Sequence, residues 1–244
     1  MKTLVRASFA ALVLMAPFSG FAQHDSEYEL PHNDVGDTAS LQRGARYFVN
    51  YCLGCHSAQY VRYNRVAEDL GISEDELTQN LMFTGERPFD TMTIAMRPED
   101  AERWFGVEPP DMSLLSRSKG TDYIYSFLRS FYASPERPTG VDNTVLPGTA
   151  MPHVLWELQG VPTAVFSTDE NGAEHFERFE PGMPGQLSRE EYDAVARDIV
   201  NFLDYIGEPM QLERQALGIR VIGFLLLFLV LAALLKREIW SDVK

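Results

Sequence analysis

Cysteine is scarce in this chain: two among 244 residues, both inside one pentapeptide. A zinc site built on these thiols would lack its second pair of ligands. A thioredoxin-like dithiol would need a βαβ context, whereas an amphipathic helical pattern leads into the pair. Basic residues are also in deficit, 21 Lys and Arg against 35 Asp and Glu, for a formal net charge of −14. Such a chain repels phosphate backbones and attracts basic partners, so nucleic-acid binding is excluded. There is no internal repeat and no low-complexity tract, and long apolar runs are confined to the two ends.

The ends differ in kind. Residues 1–22 read as a secretory signal peptide: Lys2 and Arg6, an apolar run from Ala7 to Pro17, and Gly20-Phe21-Ala22 as a cleavage site before Gln23. That run is too short to cross a bilayer. Leu217 to Leu235 is long enough, apolar apart from Arg220, and as a helix reaches roughly 28 Å. Arg220 lies one turn in, where it can snorkel to the interface. Lys236, Arg237 and Trp240 follow, which predicts a cytoplasmic tail over 236–244 and a single-pass inner-membrane protein with residues 23–216 in the periplasm.

Between the ends lies one domain large enough for its own core. Leu41, Ala45, Phe48 and Cys52 recur at helical spacing, so a helix from about Thr38 delivers the cysteines. Gly44 on it permits close approach of a second helix. The partner begins at Ser188-Arg-Glu-Glu191, a capping box, with Tyr192, Val195, Ala196, Ile199, Leu203 and Ile206 as its apolar stripe and Gly207 at its end. Ser73-Glu-Asp-Glu76 caps a third helix running to about Phe83, and a fourth is predicted over Asp122–Ala133. Residues 23–37 read as a polar leader, 134–152 as a long proline- and glycine-rich loop, and 163–179 as a β-hairpin turning at Asn171-Gly172. The fold class is mainly α: a class I cytochrome c-like haem domain with long loops and an inserted hairpin, plus one C-terminal transmembrane helix.

The haem enters through Cys52-Leu-Gly-Cys-His56, which spells C-x-x-C-H. The two thiols can add across the vinyl groups of one porphyrin, and His56 then ligates the iron. One covalently attached c-type haem is the expected cofactor. Export also agrees, since two unpaired thiols in an oxidising compartment are a liability unless something consumes them. The second axial ligand decides whether the haem carries electrons or binds small molecules. The pool is His24, His32, His153, His175 and the methionines, of which Met151 and Met183 each precede a proline. Local context favours Met183, which lies five residues before the last soluble helix. Met92, Met96 and Met112 read as packing residues.

Four further stretches carry a family resemblance: Tyr60-Val-Arg-Tyr-Asn64, Pro109-Pro-Asp-Met-Ser113, Arg137-Pro-Thr-Gly-Val141 and Pro147-Gly-Thr-Ala-Met-Pro-His-Val-Leu-Trp156. With the haem motif and the C-terminal span, the chain resembles the bacterial form of the cytochrome c1 family, the haem subunit of the ubiquinol–cytochrome c oxidoreductase (respiratory complex III). The resemblance implies Met151 as the axial ligand, reversing the local preference. It implies contacts to the haem propionates from Arg117, Lys119 and Tyr123, with Lys119 standing where an arginine is common. The implied role is electron transfer from the Rieske iron–sulfur protein to a cytochrome c acceptor, beside cytochrome b in the membrane. Two rivals stand beside it: a haem enzyme or sensor with an open axial site, and an anchored cytochrome of another respiratory complex.

Overall fold

A computed structural model describes residues 28–169 and 172–241. The signal-peptide reading, His24, Asn171 and the last three residues lie outside the described residues. Helix α1 spans Thr38–Tyr47, beginning where the sequence places it, and is capped by the Asp37 carboxylate, which accepts the Ser40 amide at 3.1 Å. The chain then widens into a π-helical turn, Phe48–Cys52, that ends on the first cysteine. Such turns cost regular hydrogen bonding and concentrate at functional sites.

The rest follows in chain order. Strand β1 (Ala58–Arg62) leads into α2 (Tyr63–Leu70) and α3 (Glu74–Asn80). Strand β2 (Thr91–Met92) pairs with β1, and α4 (Pro98–Phe105), α5 (Leu115–Lys119) and α6 (Thr121–Arg129) follow. Strands β3 (Phe131–Ala133) and β4 (Val141–Asn143) form a short ladder. After α7 (Trp156–Gln159) comes the hairpin of β5 (Gly160–Thr168) and β6 (Glu174–Pro184), then α8 (Arg189–Gly207) and α9 (Gln211–Ile239). The mainly α class holds, with the hairpin longer than predicted at both ends.

The core is organised by α1 crossing α8. Every residue of the predicted α8 stripe is buried, and the Ser188–Glu191 capping box closes in both directions, at 2.8 and 3.3 Å. At the crossing a β-carbon on Gly44 would overlap the Asp198 carbonyl oxygen and stand 2.8 Å from Phe202 Cβ. Beside this contact Asp198 takes both forks of Arg43, at 2.6 and 2.8 Å, and the Ser40 hydroxyl at 2.7 Å. The described part of the acidic leader is laid along α8: Pro31 accepts from Arg197, and Asn33 donates to Asn201 and Asp204.

Two predicted helices end early. Helix α3 stops at Asn80 rather than near Phe83. Helix α6 stops at Arg129, and Phe131–Ala133 is strand, not helix. The apolar spacing continued, but three partners from distant segments take the last carbonyls of α6: Asn143 bonds Phe127, Tyr192 bonds Leu128 and Gln159 bonds Arg129. Those carbonyls would otherwise await amides from a continuing helix. Phe131 instead lies flat on the His153 ring, 4.8 Å between centroids.

Helix α9 is apolar, with a mean hydropathy of 2.7 over its best window, and exposed along its whole length. At 29 residues it reaches roughly 43 Å, more than one hydrocarbon core. Its first turn is tied to the domain by Arg214, which pairs with Glu208.

Gly44→Ala should destabilise the domain by about 2–3 kcal/mol, since the clash is with backbone and cannot be relieved by a rotamer change. Chemical denaturation followed by circular dichroism measures it.

Candidate haem site

The π-helical turn hands Cys52 to a tight turn in which the amides of Cys55 and His56 both bond the Cys52 carbonyl, at 3.0 and 2.9 Å. Both cysteines are free and partly exposed. Burial, and secondarily the neighbouring Cys55, push the Cys52 thiol up to about 12. A sulfur in that setting is poorly suited to a thiolate and well suited to a neutral thioether.

His56 is fixed from a distance. Its Nδ1 lies 2.8 Å from the carbonyl oxygen of Pro110, in the Pro-Pro-Asp stretch. The carbonyl can only accept, so Nδ1 carries the proton and Nε2 presents its lone pair. Burial lowers the His56 pKa against the opposing effects of Pro110 and Asp111, which favours the neutral ring. The segment holding Pro110 is zipped to the residues after the haem motif. Asp111 accepts the amides of Gln59 (2.9 Å) and Ser113 (2.8 Å), the Met112 amide bonds Ser57 O (2.7 Å), and Ser113 Oγ accepts from Tyr60. Two of the stretches noticed in the sequence are thus one structural unit.

The candidate axial groups separate. Met151 is half-buried in the loop after β4, its amide 3.4 Å from Thr149 Oγ1. Met183 is not in a loop: it sits in β6 opposite Val161, 50% exposed. His153 is 5% exposed, stacked on Phe131 with Nε2 3.2 Å from Gly160 O, and burial lowers it to about 4. His175 lies on the exposed hairpin beside Asp169, 3.2 Å away. His32 has a left-handed backbone, φ 51°, in the leader.

The three expected propionate contacts also divide. Lys119 Nζ stands 5.7 Å over the Tyr123 ring at the α5–α6 corner, where Gly120 turns with φ 90°. Arg117 points elsewhere and pairs with Glu208 at the end of α8. Sequence reasoning missed Pro110 as the partner of His56, and no local pattern marks a backbone carbonyl as such a partner.

A model described as the Cytochrome C1 family matches residues 32–164 and 185–243. The chain belongs to the cytochrome c1 family. Members of that family are haem-carrying electron-transfer subunits, so a haem cofactor and an electron-transfer role come with membership. The chain is 48% identical to a cytochrome c1 of Allochromatium vinosum over the full length of both. It is 42% identical, over 95% of each chain, to a protein of Nitrosomonas europaea named ammonia monooxygenase gamma subunit. A Candida albicans protein named cytochrome b-c1 complex catalytic subunit is 26% identical over 91% of this chain and 79% of that one. The family match skips 165–184, most of the hairpin.

Asp111→Ala should cost about 2 kcal/mol, because it strands two amides that now bond a carboxylate. Asp111→Asn, which keeps one acceptor oxygen, should cost less. Paired denaturant titrations make the comparison.

Proposed function

We propose that the chain is the haem subunit of a ubiquinol–cytochrome c oxidoreductase, with Cys52 and Cys55 as the covalent attachment points and His56 and Met151 as the axial ligands. The observation that carries the reading is the His56–Pro110 bond, which orients an imidazole beside two free thiols at thioether spacing. Lys119 and Tyr123, adjacent at one corner, are the propionate contacts, and Arg117 is a structural cation. The bound haem supplies a one-electron ferric/ferrous couple, which His/Met ligation moves to higher potential.

The residues of the chain do the rest. His56 and Met151 would hold the haem iron between them and so would deny it to small molecules. The partly exposed sulfur at Cys52 would hold the group as a thioether, without introducing charge. The chain accepts an electron from the Rieske iron–sulfur subunit and delivers it to a c-type cytochrome. Residues 217–235 within α9 anchor it beside cytochrome b, with residues 23–216 periplasmic after removal of 1–22, and 236–244 in the cytoplasm. Carboxylates on α3 and on the hairpin steer a basic acceptor.

Met151→Ala should keep covalent haem but lower its potential and let the reduced form bind carbon monoxide, whereas Met183→Ala should change neither. The opposite pattern would make Met183 the ligand. Cys52→Ala should leave at most one thioether, visible as a shifted pyridine haemochrome spectrum. Purification of the tagged chain from its own membranes should recover cytochrome b and a Rieske protein. Recovery of a monooxygenase in their place would favour a second reading, that carried by the name of the Nitrosomonas relative.

A further inference from the structure

The loop from Asn143 to Met151 runs over the surface, with Leu146, Pro147 and Gly148 exposed, yet it is held from beneath by two buried side chains. Asp142 Oδ1 accepts the amides of Asn143 and Gly148, both at 2.8 Å. Asn143, with no exposed surface, accepts the amides of Val145 (2.9 Å) and Leu146 (3.1 Å) through Oδ1 and donates through Nδ2 to the Phe127 carbonyl (2.9 Å). The Thr149 amide then bonds Leu146 O, and Thr149 Oγ1 faces the Met151 amide. Gly148 adopts φ 81°, a backbone state that glycine reaches without strain. Arg137 holds Asp142 from the far side, its Nε 3.7 Å from Oδ2 and otherwise without a hydrogen-bond partner.

We propose that Asp142 and Asn143 are positioning residues for the axial methionine: a pair of side-chain acceptors on β4 that fixes the loop backbone and presents Met151 in one conformation. The physical need is plain. A thioether is a weak, neutral ligand on a flexible side chain, and each freedom left in its loop subtracts from ligation. Exposed loops ordinarily keep that freedom. Here four loop amides, those of Asn143, Val145, Leu146 and Gly148, spend their hydrogen bonds on two buried residues, and Asn143 connects the same clamp to the end of α6. The inference rests on Met151 as the ligand.

The test uses the full chain in its assembled membrane form, comparing wild type, Asp142→Ala, Asp142→Asn and Met151→Ala. Midpoint potential and carbon monoxide binding by the reduced protein are read alongside covalent haem content. Asp142→Ala should keep its haem, lose potential and bind the gas, with methionine ligation weakened about 10- to 100-fold. Asp142→Asn retains an acceptor oxygen for the Gly148 amide and should behave as wild type. If Asp142→Ala keeps the wild-type potential and still refuses the gas, the clamp is overturned. If Asp142→Asn fails as badly as alanine, the carboxylate charge matters and the acceptor role is overturned. Should Met151→Ala itself change nothing, the ligand reading falls, an outcome distinct from failure of the clamp. Should Asp142→Ala not assemble, hydrogen exchange on the wild-type holoprotein decides: the Val145 and Gly148 amides should exchange roughly a hundredfold slower than free peptide, and free-peptide rates would overturn the proposal.

Discussion

One hydrogen bond, from His56 Nδ1 to the Pro110 carbonyl, is the constraint on which the haem site depends. It joins residues 54 apart in sequence, and it does two things at once. It chooses the tautomer that leaves the Nε2 lone pair free, and it stops the ring from rotating away from the cysteine turn. Asp111, Met112 and Ser113 fasten the carbonyl in place through Ser57, Gln59 and Tyr60, so the bond has a rigid base on both sides. Without that base, C-x-x-C-H would be a flexible turn with a mobile imidazole.

The base in turn rests on the crossing of α1 and α8, where Gly44 brings two backbones into contact. Helix α1 brings the cysteines to the site, and α8 carries the domain down to its anchor. At the lower end of α8, Glu208 gathers Arg117 from α5 and Arg214 from α9, while Tyr205 donates to Asp69 on α2. The domain thus meets the apolar helix through one ion pair, Arg214–Glu208, whose carboxylate also holds Arg117. Both pairs are largely exposed on the arginine side, so each contributes little on its own.

Much of this was legible in the residues. The Ser73 and Ser188 capping boxes, the α8 stripe and Gly44 are local patterns, and each appears in the structure as expected. What was hidden is non-local. The end of α6 is set by Asn143, Tyr192 and Gln159, which lie 16, 64 and 30 residues from the carbonyls they bond, and no periodicity can anticipate them. The division of Arg117 from Lys119 depends on Glu208, 91 residues on. Met183 looked like a loop ligand because it precedes a proline and lies five residues before the cap of α8; pairing with Val161 draws it into the strand.

The central claim is that a single haem is held between His56 and Met151. Proton NMR of the reduced, detergent-solubilised protein, carrying labelled methionine methyl groups, tests it directly. Ring-current shielding should move one methionine methyl far upfield, and that resonance should vanish in Met151→Ala while surviving in Met183→Ala. An upfield methyl assigned to another methionine, or none at all, would contradict the account.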